Sequence, residues 1–341
     1  MKHNNTSLRP DLGKLKTEGR NQNTLHIDEM TTLEMVTVMN NENRVVEDAI
    51  ATQLSEIAAA VDLIAASLSA GGHLIYIGAG TSGRLGVVDA SECPPTFGVD
   101  YDLVRGIMAG GEGAMFRAVE GAEDNEALGA HDIEADGVTA GDVVVGLSAS
   151  GGAPYVLGAL KKARELGAIP LGITCNPDSR MHPLCDVTIA PYVGPEVITG
   201  SSRLKAGTAQ KLVLNMLSTG AMVKTGKVVG NLMVNVRPTN VKLEARVVRI
   251  VCSILECDES TARMLLDKPF NSLVHISRSA GIRHTNHFVS NERFKILSIL
   301  FDLTDDLIVR AVYKRGVSQR MYCDLVSLVD RAEISCRKSI V

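Results

Sequence analysis

IYIGAGTSGRLGVVDASECPPTFG, residues 75–98, opens as an apolar run, crosses a turn dense in Gly and hydroxyls, and then carries a carboxylate between Ser91 and Cys93. An apolar run, a Gly-rich turn and a helix-compatible segment together make the first half of a βαβ unit. Outward from this unit the same alternation repeats. Short runs at 102–108, 142–148, 169–174 and 186–190 are each of strand length and largely apolar, as expected of strands buried on both faces of a parallel sheet. Between them, segments such as 154–166, PYVLGALKKAREL, place apolar residues at helical spacing. The series predicts an α/β fold, a doubly wound parallel sheet in an αβα sandwich.

Upstream, residues 1–24 read as a polar arm, and from Ile27 to about Leu68 the apolar residues recur at helical spacing, so helices precede the first strand. Gly71-Gly72 ends the last of them. From 203 to 227 a further helix is expected, and beyond 241 the chain reads as mostly helical. The expected organisation is an N-terminal arm and helices over 1–68, a sheet domain over 69–240 and a small helical region over 241–341.

The glycines Gly78, Gly80 and Gly83 spell G-x-G-x-x-G, and a strand, turn and helix of this kind offers free backbone N–H groups and a positive helix end to an anion. A dinucleotide site also needs an acidic residue about 20 positions on, at the next strand end. That end reads GIMAGG, residues 106–111, and has none. The loop instead sets Thr81 and Ser82 between its glycines, and later strand ends repeat the hydroxyls: Ser148 and Ser150 in SASGG, then Thr199, Ser201 and Ser202 in TGSSR. Helix capping explains any one such loop. Three on one rim point to a sugar phosphate.

Composition narrows the partners. The 341 residues carry a net charge of −4, no Trp and 4% aromatics, which argues against nucleic acid, where clustered Lys and Arg and stacking rings are required. Seven cysteines form no C-x-x-C pair, so neither a zinc ribbon nor a disulfide framework is expected, and a reducing cytoplasm is the natural compartment. No stretch supplies the ~20 uninterrupted apolar residues of a membrane span. His284 and His287 at i, i+3 carry little weight as metal ligands, and apolar residues from Ile296 to Leu307 read as a packing face.

Two acidic positions stand out. Glu92 precedes Pro94 and Pro95, which stiffen the backbone and hinder a helix from continuing past them, so a carboxyl is held rigidly there. In VEGAEDN, residues 119–125, Glu120 and Glu123 would share a face if the segment were helical. Spacing alone allows both to be solvated carboxylates at helix ends.

TEGRN at 17–21, the 75–98 stretch, GGEGAMFRAVEGAED at 110–124, DVVVGLSASG at 142–151 and the long string from Thr199 to Val236 together closely resemble the N-acetylmuramic acid 6-phosphate etherases, built on the sugar isomerase (SIS) domain. The resemblance runs from about residue 15 to about 265. It implies cleavage of the D-lactyl ether of N-acetylmuramic acid 6-phosphate to N-acetylglucosamine 6-phosphate in cell-wall recycling, with no metal or organic cofactor, in a homodimer whose sites draw on both subunits. By motif match Glu92 is the acid that protonates the departing lactate, and Glu123 the base at C2. Phosphate binding falls on Thr81, Ser82, Gly83, Ser148, Ser150, Ser201 and Ser202. Arg203 and Lys205 stand beside the third loop, where they would meet the phosphate or the lactyl carboxylate or be surface charges on a first helical turn. The arm contributes Glu18, Arg20 and Asn21 as secondary candidates.

The chain departs from that pattern at three places. Gly152-Ala153 replaces an Arg-Thr after ASG, Asn235 replaces an Asp in LMVNV, and the match fades from about Pro269. Two rival functions share the fold: a sugar-phosphate sensor that does not turn over its ligand, and an aldose–ketose isomerase. A matched acid and base separate the etherase from the sensor, which needs neither.

Overall fold

The computed structural model describes residues 19–236 and 241–266. The expectations for Glu18, for His284 and His287 and for the 296–307 packing face lie outside the described residues. Two compact units divide at Thr225–Gly226.

The first unit begins with the segment after Gly19. Asn21 is buried there rather than lying in a free polar arm, and its side chain accepts from the Asn23 backbone N–H at the start of a short 3-10 turn. Helix α1 (Thr32–Asn43) starts with a capping box, in which Thr31 and Glu34 exchange side-chain and backbone hydrogen bonds. α2 (Val45–Ala51) and α3 (Leu54–Ser69) follow, and α3 turns into the sheet through Gly71 in the left-handed region.

Five strands then form one sheet: β1 (Leu74–Gly78), β2 (Val104–Met108), β3 (Val143–Leu147), β4 (Ile169–Ile173) and β5 (Val187–Ile189). All pairings are parallel, in the order β2-β1-β3-β4-β5. Each strand falls on one of the apolar runs, as the doubly wound reading requires. β1 and β3 are buried along their whole length. Helices α4 (Gly80–Phe97) and α7 (Lys205–Lys224) lie with α3 on one face; α5 (Glu126–Ala135) and α6 (Pro154–Glu165) cover the other. Side chains of β1 alternate accordingly. Tyr76 reaches Asp89 of α4, while Ile75 and Ile77 join Ile133, Val156 and Leu160 in the core beneath α5 and α6.

Two local readings change. α4 runs through Pro94 and Pro95 instead of stopping before them, and ends at Gly98 in the left-handed region, whose N–H bonds the Pro94 carbonyl at 2.9 Å. Both prolines sit in the last turn, so few intrahelical bonds are lost, and burial of Cys93, Pro94 and Phe97 holds the turn down. Glu120 and Glu123 share no helix. Gly121 adopts φ +74°, and α5 starts only at Glu126, capped by Asn125, which accepts from the Leu128 N–H.

In the second unit, α8 (Val241–Leu255) and α9 (Glu259–Leu266) pack with Val229, Val234 and Val236 into a small core around Val251 and Ala262. Asn235 is half-buried there, and nothing in the structure accounts for an amide at that place. Among the described residues no single helix is long and apolar enough to cross a membrane.

Candidate active site

In an open α/β sheet, ligands settle beyond the strand C-termini where successive crossovers leave in opposite directions. Here that point lies between β1 and β3, whose last residues, Gly78 and Leu147, are register partners. The loops that follow them carry Thr81-Ser82 and Ser148–Ser150.

The first loop is shaped by a close approach of strand and helix. A Cβ on Gly83 would sit 2.6 Å from the Gly78 carbonyl oxygen and 2.8 Å from the Met108 Cβ. Only glycine fits, and the first turn of α4 is thereby drawn onto the strand end with its N–H groups toward the rim. Thr81 is half-buried, and Ser82 is 8% exposed with its hydroxyl donating to Gln210 Oε1 of α7 at 2.8 Å.

In the second loop Ser148 Oγ accepts from the Gly151 N–H at 3.1 Å, and Ser150 Oγ accepts from the Gly152 N–H at 3.2 Å. Gly151 has φ +66°, and a Cβ there would lie 2.2 Å from the Ser179 Cβ. The loop therefore needs glycine twice over. Gly152, where the related pattern carries arginine, has only Ser150 Oγ within 4 Å of an added Cβ, at 3.8 Å.

The third loop meets the first over Gly207, where an added Cβ would lie 3.5 Å from both the Ser202 carbonyl oxygen and Thr81 Cγ2. Ser201 is half-buried, and Ser202 and Arg203 are exposed. Cys175, just past β4, ties the loops together: its N–H bonds the Ala149 carbonyl at 2.9 Å, and its thiol donates to the Ala206 carbonyl at 3.9 Å. Burial pushes that thiol up to about 12.

Lys205 is neither a surface charge nor an open ligand. It is 2% exposed, and its ammonium donates to Glu42 of α1 at 2.7 Å. Asn21 and Asn23 donate to the two oxygens of the same carboxylate at 2.6 and 2.8 Å. Burial acts to raise the Glu42 carboxyl, but the bonds from Lys205, Asn23 and Asn21 outweigh it and hold it below the ordinary carboxylate value. Of the arm candidates, Asn21 is thus a buried fastening, and Arg20 is exposed beside it. The N-terminus of α7 is occupied as well: Glu196, 1% exposed, accepts from the Lys205 and Ala206 N–H groups at 2.9 Å each.

The two carboxylates lie apart. Glu123 follows the β2 rim loop, its carbonyl accepting from the Tyr155 N–H at the start of α6. Desolvation and the neighbouring Asp124 carboxylate raise its pKa. Glu92 sits at the other end of α4. Gly83 packs on Gly78 and Gly86 on Tyr76, so the helix descends antiparallel to the strands. Twelve residues beyond Gly80, Glu92 is about 18 Å below the rim, exposed. Among the described residues no group of three His, Cys, Asp or Glu side chains is placed to hold a metal ion.

Sequence reasoning passed over Gln210, Glu196, Glu42 and the loop after β4, where Asn176 donates to the Ser150 carbonyl. The last had a visible signal, the hydroxyl and amide in TCN at 174–176. The others are single polar residues in helices or irregular segments, with no local pattern.

Strand order, switch-point loops and flanking helices define an open, doubly wound α/β domain, and the models of the glucokinase regulatory protein N-terminal SIS domain and of the SIS domain match residues 56–164 and 125–220. The chain is 60% identical over 256 residues to the N-acetylmuramic acid 6-phosphate etherase of Serratia proteamaculans, covering 75% of this chain and 86% of that one. It is 59% identical over 240 residues to the protein of the same name from Clostridium botulinum, covering 70% of this chain and 80% of that one. The phosphoheptose isomerase of Neisseria gonorrhoeae is similar over 56% of this chain and 98% of its own, at 20% identity and a TM-score of 0.45. The chain belongs to the N-acetylmuramic acid 6-phosphate etherase family.

Proposed function

We propose that the protein is an enzyme that cleaves the D-lactyl ether of N-acetylmuramic acid 6-phosphate, giving N-acetylglucosamine 6-phosphate and D-lactate in cell-wall recycling in the cytoplasm. The observation that carries this reading is the 60% identity to an etherase over 256 residues, at 86% of that protein's length. The chemistry is a carbon–oxygen lyase reaction followed by hydration. The carbonyl of the open-chain sugar acidifies the C2 proton, which passes to the Glu123 carboxylate. The electron pair forms the C2–C3 double bond, and the C3–O bond breaks. Glu92 gives its proton to the lactyl oxygen, and water then adds at C3 while a proton returns to C2. Desolvation and Asp124 raise the Glu123 pKa, which makes its carboxylate a stronger base than an ordinary glutamate.

The phosphate is assigned to the first turn of α4 and to the hydroxyls of the Ser148–Ser150 and Ser201–Ser202 loops. Neither a metal nor an organic cofactor takes part. Within one chain Glu92 lies too far below the rim to share a sugar with Glu123, so the reading calls for a homodimer that supplies Glu92 from the second copy. Val88, exposed one turn before Glu92 on the same side of α4, and exposed Met216 of α7 offer apolar surface for such an interface. The sensor and isomerase readings share the phosphate loops, but the identity to the etherases favours neither.

Incubation of the purified protein with N-acetylmuramic acid 6-phosphate, with D-lactate followed by a coupled assay, tests the reading. Lactate from the wild type, lost in both Glu92→Gln and Glu123→Gln, supports it. Binding of the sugar phosphate without lactate release overturns it in favour of a sensor.

A further inference from the structure

We propose that Gln210 is a positioning residue that turns the Ser82 hydroxyl toward the substrate phosphate, an inference that rests on the assignment of the phosphate to the first turn of α4. Gln210 lies on α7, 1% exposed, and reaches across to α4, where its Oε1 accepts the Ser82 proton at 2.8 Å. Its Nε2 is fully buried and, among the described residues, has no hydrogen-bond partner. A buried N–H without an acceptor is rarer and costlier than a buried carbonyl without a donor. The arrangement is therefore the less favourable of two.

The two ends of an amide differ little in shape and exchange by a half-turn about the last side-chain torsion. After that half-turn Nε2 donates to Ser82 Oγ. The serine oxygen then acts as acceptor, and its own proton is free to point at an oxygen of the phosphate. The result is a chain, Nε2–H to Oγ and Oγ–H to phosphate oxygen, in which each bond polarises the next. With the amide as it stands, the Ser82 proton is committed to Oε1 and nothing is donated outward. A phosphate oxygen that takes the proton stabilises the turned amide, so ligand and side chain select the same state. The Thr81 and Ser82 backbone N–H groups, on the same turn, need no such device.

Titration calorimetry of full-length protein with N-acetylglucosamine 6-phosphate, and with unphosphorylated N-acetylglucosamine as control, tests the relay. Gln210→Met and Ser82→Ala are each expected to weaken binding of the phosphorylated sugar roughly ten- to a hundredfold, the range for a hydrogen bond to a charged group. The double variant is expected to bind no more weakly than Ser82→Ala, because Gln210 acts through Ser82. Gln210→Leu, which neither donates nor accepts and adds no charge, should lose about as much, and it carries the test if the methionine variant misfolds. Wild-type affinity in Gln210→Met, or losses that add in the double variant, overturn the relay. Wild-type binding without D-lactate release sinks the etherase reading and leaves the relay standing; no binding of the phosphorylated sugar by the wild type overturns the relay, and lactate release separately decides the etherase reading.

Discussion

The ammonium of Lys205 and the carboxylate of Glu42 meet at 2.7 Å with both residues buried, joining the first turn of α7 to α1 across 163 residues of sequence. Removing one member of a buried pair strands the other charge, which costs about 3–5 kcal/mol. Lys205→Met should lower the denaturation midpoint accordingly. The Lys205→Met/Glu42→Gln double variant should recover much of the loss. A double variant as unstable as the single would show that Lys205 acts by packing alone. Because the Glu42 pKa is held below its ordinary value, its contribution is present at neutral pH and disappears on acidification through the folded value.

Mixed oligomers test whether the sites are shared. Glu92→Gln and Glu123→Gln are each expected to be inactive alone. Refolded together from equal amounts, they should recover about a quarter of wild-type lactate release, since half of randomly formed dimers are mixed and each holds one intact site of two. No recovery would mean that each chain uses its own Glu92.

Glu123 also predicts a pH profile. Its pKa is raised by desolvation and by Asp124, so kcat/KM should fall as pH drops through a value above the ordinary carboxylate range. Asp124→Asn removes one repulsion and should shift that limb to lower pH. An unmoved limb would assign it to another group.

Gly83→Ala places a methyl 2.6 Å from the Gly78 carbonyl oxygen, with backbone rather than a flexible side chain in the way. Overpacking of this kind costs about 1–3 kcal/mol or more. The variant should be less stable in urea and bind N-acetylglucosamine 6-phosphate more weakly, because the turn that offers its N–H groups is pushed off the strand.

Gly152→Arg has the opposite expectation. An added Cβ meets only Ser150 Oγ at 3.8 Å, and the residue does not take a positive φ, so a side chain is accommodated. A guanidinium beside the Ser148–Ser150 loop should tighten phosphate binding without loss of stability. Calorimetry beside thermal melting would separate the two effects.

The strands and their parallel pairing were legible because the apolar runs are short and largely unbroken, with β1 and β3 buried along their whole length. The Thr81-Ser82 and Ser148–Ser150 loops were legible for the same reason, each falling at the end of such a run; the Thr199–Ser202 loop, read as another strand end, instead leads into α7, ten residues beyond the end of β5. What misled were features settled by distant contacts. Pro94 sits inside α4 because burial of the last turn outweighs the local preference. Lys205 reads as a surface residue in its own turn, and only the fold brings Glu42 to it. Glu92 and Glu123 stand 31 positions apart in the sequence, yet spacing says nothing about which end of the sheet each occupies.

Glu196 has a consequence for which anions the rim accepts. With its two oxygens on the Lys205 and Ala206 N–H groups, it fills the pole of α7 much as an incoming anion would. The chain carries, in effect, its own permanently tethered competitor at one of two neighbouring helix ends. On the proposed reading, a phosphate at the rim is turned away from the α7 end and toward α4, so exclusion helps to orient the ligand alongside attraction.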